Sequence, residues 1–137
     1  MFDTVLIAGL GLMGGSMAKT IKARTLSRVL GWNRTRATAE QALADGSIDA
    51  IATEALYKEA DLVIIGLYPQ ATVDWLLKNM PKMKKGCVIV DMVGVKQFMV
   101  DHLEQAALDA GVHYVGGHPM AGREFSGLDY SLPTLFD

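Results

Sequence analysis

The chain has 137 residues, of which 50% are hydrophobic, so it can form one folded domain with a buried core. Its 13 basic and 15 acidic residues give a net charge of -2, which excludes the basic excess that holds nucleic acid through its phosphates. The single cysteine, Cys87, excludes an internal disulfide and a four-cysteine zinc site, and it indicates a reducing compartment, most simply the cytoplasm.

Signals for secretion or membrane insertion are not expected in this sequence. The apolar stretch over residues 4–18 follows Asp3, where a secretion signal has basic residues, and glycines interrupt it. No stretch reaches the roughly 18 uninterrupted apolar residues of a membrane span. We therefore expect a protein without a membrane partner.

Short apolar runs alternate along the chain with longer amphipathic segments. The runs that predict strands are Thr4–Ala8, Arg28–Trp32, 48–52, 62–67, Val88–Asp91 and 112–115. The segments that predict helices are 13–24, 35–45, Pro69–Asn79 and 96–110. Thr35 suits the N-cap of the second helix, and Gly46 and Gly111 suit the ends of the second and last helices.

The alternation of strands and helices predicts the fold class. The apolar runs lack the two-residue alternation of a half-exposed sheet, so both faces of the sheet should be covered. The sequence therefore predicts an α/β fold of the Rossmann type, with a doubly wound, mainly parallel sheet, helices on both faces and right-handed crossovers.

A glycine-rich loop joins the first strand to the first helix, and it consists of Gly9, Leu10, Gly11, Leu12, Met13 and Gly14. In the pattern G-x-G-x-x-G the first glycine permits a tight turn, the second lets the backbone approach a pyrophosphate, and the third allows close packing of helix on strand. The helix start adds free N–H groups and a partial positive charge. We predict that residues 9–14 bind the phosphates of a dinucleotide; the alternative is a glycine turn without a ligand.

The end of the second strand bears on which dinucleotide binds. An acidic residue at this distance from the glycines would bond the ribose hydroxyl of NAD, but Asn33 stands there. Arg34 can pair with a 2′-phosphate or stack on adenine, and Thr35 adds a hydroxyl. The pattern favours NADP over NAD. The alternative is that Arg34 and Arg36 are solvated residues at a helix start and that NAD binds.

Tyr68 and Pro69 follow the most apolar run, which predicts the central strand. Ligands of open α/β sheets lie over the carboxyl ends of the strands, so we expect these residues to contact the ribose or nicotinamide side of the cofactor. The alternative is a simple turn, with Pro69 in the first turn of a helix.

Of the three histidines, His118 is the candidate for catalysis. It follows a predicted strand and two glycines, which places its imidazole at the carboxyl end of a strand. A neutral imidazole there can accept the proton of a substrate hydroxyl as hydride leaves the carbon. His102 lies within a predicted helix and His113 opens a strand, so both are expected to be structural. A loop histidine without a catalytic role is the alternative for His118.

Two motifs together resemble the prephenate/arogenate dehydrogenase family. They are the glycine loop extended by Gly15-Ser16, and the more specific segment His118-Pro119-Met120-Ala121-Gly122-Arg123-Glu124-Phe125-Ser126-Gly127. Such enzymes oxidise the ring C4 hydroxyl of prephenate or arogenate, pass hydride to NAD(P), and release CO2, which yields 4-hydroxyphenylpyruvate or tyrosine. The resemblance implies that His118 bonds that hydroxyl, that Arg123 contacts the substrate, and that no metal is needed.

A second segment, residues 91–96, resembles a family pattern that usually reads Asp-x-x-Ser-x-Lys. Lys96 matches the family lysine, whereas Gly94 stands where the family serine orients the substrate hydroxyl. The resemblance therefore places Gly94 and Lys96 beside the substrate, and it implies that the aid of the serine is missing or is supplied by another group.

The resemblance also implies a domain organisation. Family members continue into a helical domain that forms a homodimer and supplies an arginine for the substrate carboxylate. Residues 1–137 are then a truncated dinucleotide-binding domain, with little or no turnover alone. Two other functions stay open, namely an NADP-dependent β-hydroxyacid dehydrogenase or imine reductase, and a non-catalytic dinucleotide sensor.

Overall fold

The computed structural model describes residues 2–92 and 97–115. Within these ranges six strands alternate with helices. The strands are β1 Thr4–Ala8, β2 Arg28–Trp32, β3 Ala50–Ile51, β4 Leu62–Ile65, β5 Val88–Asp91 and β6 His113–Val115. The α-helices are α1 Leu12–Arg24, α2 Arg36–Ala44, α3 Glu54–Tyr57, α4 Pro69–Asn79 and α5 Gln97–Ala110, and a short 3-10 helix spans Met80–Lys82.

All neighbouring strands pair in parallel, in the order β3-β2-β1-β4-β5-β6. The chain runs outward from β1 in one direction and, after crossing back, outward from β4 in the other. This order confirms the predicted Rossmann-type fold, and it places the reversal of strand order between β1 and β4. Ala8 pairs with Ile65 there, so the carboxyl ends of the two strands open side by side into one crevice.

Apolar side chains cover both faces of the sheet, as predicted. Helices α1 and α2 pack on the face that carries Val5 and Ile7, whereas α3, α4 and α5 pack on the face that carries Leu6 and Val63. All four of these side chains are fully buried. Burial of each large apolar side chain contributes roughly 1.5–3 kcal/mol to folding, so the doubly covered sheet holds the crevice rigidly.

Several boundaries differ from those predicted. The predicted strands 48–52 and 62–67 are shorter in the structure because β3 pairs only with β2 at the edge and β4 ends before Gly66. Helices α1 and α2 begin within one residue of their predicted starts, and Gly46 follows α2 with φ +82°. The four residues of α3 are too few to show a helical period in sequence. In the described ranges, no helix is long and apolar enough to cross a membrane.

Candidate functional site

The first glycine of the loop makes the turn out of β1. Gly9 has φ +96°, a conformation that side chains rarely adopt, and its N–H donates to the carbonyl oxygen of Trp32 at 2.7 Å. A Cβ atom on Gly9 would lie 2.7 Å from the carbonyl oxygen of Gly66. Only glycine therefore fits where the loop passes between the ends of β2 and β4.

The third glycine brings α1 onto the loop. A Cβ atom on Gly14 would lie 1.7 Å from the carbonyl oxygen of Gly9, which is a backbone atom and cannot swing aside. Gly66 closes the same contact from the β4 side, since its Cβ atom would lie 3.3 Å from that oxygen. Gly66 is not among the residues predicted from the sequence, although a glycine at the end of an apolar run indicates a close backbone approach.

The middle of the loop is open, in contrast. A Cβ atom on Gly11 would meet nothing within 4 Å, and the side chain of Leu12 is 90% exposed. The first N–H groups of α1 have no carbonyl partner inside the helix, as at every helix start. This combination of free space and unpaired main-chain donors suits a phosphate group, and the phosphate-binding role of residues 9–14 stays a prediction.

Asn33 connects this loop to the segment after β2. Its Oδ1 accepts the N–H of Leu10 at 2.8 Å, and its Nδ2 donates to the carbonyl oxygen of Thr35 at 3.0 Å. The side chain of Leu10 is 6% exposed, so the residue is anchored both by its side chain and by its N–H. The predicted cofactor residue Asn33 thus lies at the crevice and is bonded to the protein on both sides.

Arg34 and Thr35 present uncommitted polar groups beside Asn33. Both residues are exposed, and Thr35 is the N-cap residue of α2 although its hydroxyl makes no capping hydrogen bond. Arg36 pairs with Glu40 at 3.2 Å, whereas Arg34 has no ion pair within residues 2–92 and 97–115. Among the described residues the neighbouring arginines therefore differ, since Arg36 is ion-paired and Arg34 is not.

The turn after β4 forms the opposite wall of the crevice. Tyr68 is 84% exposed and occupies the N-cap position of α4 without a side-chain capping bond, and Pro69 is the first residue of that helix, as predicted. The buried hydroxyl of Thr72 donates to the carbonyl oxygen of Leu67 at 3.0 Å, which fixes the turn. The Leu67 side chain reaches Gly9, so this turn and the glycine loop are in contact.

A buried carboxylate lies at the carboxyl end of β5. Asp91 is 4% exposed, and the phenol of Tyr114 on β6 donates to its Oδ2 at 3.3 Å. Burial of Tyr114, followed by the negative charge of Asp91, raises the pKa of the phenol well above its ordinary value of 10.0. The tyrosine is therefore a fixed hydrogen-bond donor and not a group that titrates near neutral pH.

Four of the residues predicted from sequence lie outside the described ranges. They are His118, Gly94, Lys96 and Arg123. The structure thus brings together the glycine loop, Asn33 and the turn at Tyr68, and the predictions for the histidine and the substrate residues stay predictions. No group of three or more His, Cys, Asp or Glu side chains that could hold a metal ion occurs in residues 2–92 and 97–115.

Two known proteins are similar to this chain in sequence. A prephenate dehydrogenase of Bacillus subtilis (strain 168) is 37% identical over 141 residues, which cover 100% of this chain and 38% of that protein. A prephenate dehydrogenase of Lactococcus lactis subsp. cremoris (strain MG1363) is 31% identical, over 97% of this chain and 38% of that protein. The chain thus spans less than half the length of these relatives.

A solved structure with the same fold is a prephenate dehydrogenase from A. aeolicus in complex with hydroxyphenyl propionate and NAD+. It is 27% identical with a TM-score of 0.76, over 89% of this chain and 43% of that one. The family described as prephenate dehydrogenase, nucleotide-binding domain, matches residues 17–137. Because this match covers most of the sequence, the chain belongs to the family of prephenate dehydrogenase nucleotide-binding domains.

Proposed function

We propose that this chain binds the nicotinamide dinucleotide of an enzyme that oxidatively decarboxylates prephenate or arogenate to 4-hydroxyphenylpyruvate or tyrosine. The observation that carries the proposal is the glycine loop, which is closed by backbone contact at Gly9 and Gly14 and open at Gly11, in a chain of the prephenate dehydrogenase family. Family membership favours this reaction over a β-hydroxyacid dehydrogenase, an imine reductase or a dinucleotide sensor.

The residues of the crevice suit a dinucleotide. The first N–H groups of α1 would hold the pyrophosphate, because they are unpaired and lie at the positive end of the helix dipole. Tyr68 and Pro69 would flank the ribose on the nicotinamide side. A bound nicotinamide ring supplies the hydride acceptor, and the protein contributes orientation and electrostatics.

His118 is the residue that we assign to proton removal. As a neutral imidazole it would accept the proton of the substrate C4 hydroxyl while the hydride departs from the same carbon. Gly94, Lys96 and Arg123 would line the substrate side. Release of CO2 would then leave its bond electrons in the ring and on the C4 oxygen, which takes up a proton, so that the ring becomes aromatic with little acid catalysis.

We also propose that NADP is preferred to NAD. Arg34 offers a guanidinium, and the uncommitted hydroxyl of Thr35 lies beside it at the start of α2. Both are suited to a 2′-phosphate, and a carboxylate that would repel it is not present at position 33. Calorimetry of the chain with NADP and NAD tests this preference, and tighter binding of NAD would reverse it.

Turnover tests the reaction itself. The protein that carries this sequence should oxidise prephenate or arogenate with NADP or NAD. The absorbance of the reduced cofactor measures the rate. His118→Asn should lower kcat by about 100- to 10,000-fold, the range for loss of a general base. His113→Asn is the matched control, because His113 opens β6 at the amino ends of the strands, away from the crevice. Full turnover in His118→Asn would contradict the assignment.

The same protein is expected to be a cytoplasmic homodimer, as the family resemblance implies. Sedimentation at micromolar concentration measures its mass. A monomer would contradict this part of the proposal without affecting the test of His118.

A further inference from the structure

The side-chain amide of Asn33 uses both of its ends within the protein. Its Oδ1 accepts the N–H of Leu10 at 2.8 Å, and its Nδ2 donates to the carbonyl oxygen of Thr35 at 3.0 Å. One partner is a donor and the other is an acceptor, so the amide has one satisfactory orientation. Rotation of the side-chain amide by half a turn would place its NH2 group against the Leu10 N–H and its oxygen against the Thr35 carbonyl oxygen.

The first of these bonds joins segments that are distant in sequence, whereas the second is local to the segment after β2. Leu10 belongs to the glycine loop, and Asn33 follows β2, 23 residues further along the chain. The Leu10 side chain approaches Gly31 of β2, so the loop is held by packing on one side and by the Asn33 hydrogen bond on the other. The main-chain path into α1 therefore depends on Asn33.

We propose that Asn33 is a positioning residue, which fixes the glycine loop in the shape that receives the pyrophosphate and leaves recognition of the ribose 2′ position to Arg34 and Thr35. The inference rests on the proposed binding of a dinucleotide. It assigns to Asn33 a role different from the direct ribose contact made by the acidic residue usual at this position. Binding of NAD and NADP should then depend on Asn33 equally.

An aspartate at this position would separate the two bonds. It keeps an acceptor for the Leu10 N–H, but it replaces the donor to Thr35 by a second oxygen that faces a carbonyl oxygen. It also adds a negative charge beside the site proposed for the 2′-phosphate. Asn33→Ala instead removes both bonds and adds no charge.

Dissociation constants of NADPH and NADH, measured by fluorescence titration of the full chain, test the proposal. Asn33→Ala should weaken both by the same factor, about three- to tenfold, as expected for one loop hydrogen bond. Asn33→Asp should weaken NADPH at least about tenfold more than NADH, because only NADPH carries the 2′-phosphate that the new charge would additionally repel. Arg34→Ala, which leaves the loop bonds intact, should weaken NADPH alone. A change in the NADPH to NADH ratio in Asn33→Ala would overturn the proposal, since it would indicate direct contact with the ribose.

Hydrogen exchange of the Leu10 amide gives a readout that does not require the cofactor. In the free protein this amide should exchange faster in Asn33→Ala than in wild type, while Asn33→Asp should retain much of the protection. Unchanged exchange in Asn33→Ala would overturn the proposal. If Asn33→Ala does not fold, Asn33→Asp is used in its place. Loss of the protection of the Leu10 amide in Asn33→Asp, or equal weakening of NADPH and NADH, would then overturn the proposal. A wild-type chain that binds neither dinucleotide would contradict the proposed function. Exchange of the Leu10 amide would still test whether Asn33 holds the glycine loop.

Discussion

The parallel strands all begin along one edge of the sheet and all end along the opposite edge, and the loops at these two edges are held by different interactions. At the edge where the strands begin, carboxylates accept main-chain N–H groups: Asp61 accepts from Asp3 and Thr4 at 2.9 Å, and Asp49 accepts from Val29 at 2.7 Å. At the edge where the strands end, backbone packs directly on backbone at glycines. The first edge pairs these donors with carboxylates of the protein, whereas the second leaves the first N–H groups of α1 without a carbonyl partner inside the helix.

Each carboxylate of the first edge is also paired with a lysine. Lys84 bonds Asp61, and Lys22 bonds Asp49 at 2.5 Å. Burial works to raise the pKa of Asp61, but hydrogen bonds from Lys84 and from the main chain outweigh it, so the pKa lies below its ordinary value of 3.8. Charged side chains thus stabilise the edge where the strands begin, whereas glycines, which lack a side chain, shape the edge where the strands end.

The largest effect is expected from Gly14→Ala at the glycine edge. The new methyl group would overlap the Gly9 carbonyl oxygen, so the loop must move, with a loss of about 3 kcal/mol or more in the free energy of unfolding. Dinucleotide affinity should fall about 100-fold, since several phosphate hydrogen bonds are displaced. Thermal unfolding and calorimetry measure the two effects.

The matched control is Gly15→Ala. Its Cβ atom would lie 3.5 Å from the Leu10 carbonyl oxygen, which is an ordinary contact, and alanine is favoured over glycine inside a helix. Wild-type affinity in Gly14→Ala would show that backbone contact does not shape this edge.

The next largest effect is expected from Asp61→Ala at the carboxylate edge. Loss of a charged acceptor for two main-chain N–H groups should reduce the free energy of unfolding by about 2 kcal/mol, measured with urea. Dinucleotide affinity should not change, because Asp61 lies at the far edge. Asp109→Asn, an exposed change on α5, should shift stability by less than about 0.5 kcal/mol. Equal losses in the free energy of unfolding in Asp61→Ala and Asp109→Asn would show that the Asp61 carboxylate does not stabilise the edge where the strands begin.

The pH dependence of the free energy of unfolding gives a second test of the carboxylate at the edge where the strands begin. A carboxylate whose pKa is lowered by folding contributes its full stabilisation above the pKa of the unfolded chain and loses it as the pH falls through the lower pKa of the folded state. The stability difference between wild type and Asp61→Asn should therefore be constant above about pH 5 and shrink as the pH falls below 3.8. Urea unfolding from pH 7 to pH 3 measures it. A difference that grows on acidification would contradict the assignment.

The smallest effect is expected from Thr35→Ala. Because the Thr35 hydroxyl makes no capping bond, its loss should cost less than about 0.5 kcal/mol, below the roughly 1 kcal/mol of a working N-cap. Affinity for NADPH should fall a few-fold, and affinity for NADH should stay the same. A stability loss of the usual capping size would show that the hydroxyl serves the helix instead.

Much of the fold could be predicted from the sequence because local patterns carry it. The apolar runs located every strand, and the motif that contains Gly9 and Gly14 located the loop. The bond between Asn33 and Leu10 could not be found in this way, because it depends on a contact between segments brought together only by the sheet. Gly66 carries a sequence signal, a glycine at the end of an apolar run, but the sheet sets which atom it approaches. Asp61 was missed for another reason, since a carboxylate that binds main-chain donors looks in sequence like any surface charge.

The meeting of three glycines at one atom makes their substitutions interdependent. Both Gly14 and Gly66 face the carbonyl oxygen of Gly9, so a shift of that oxygen that admits a methyl group at one position changes the space at the other. The cost of alanine at both positions should consequently differ from the sum of the two separate penalties, and the difference would measure how this strand end adjusts.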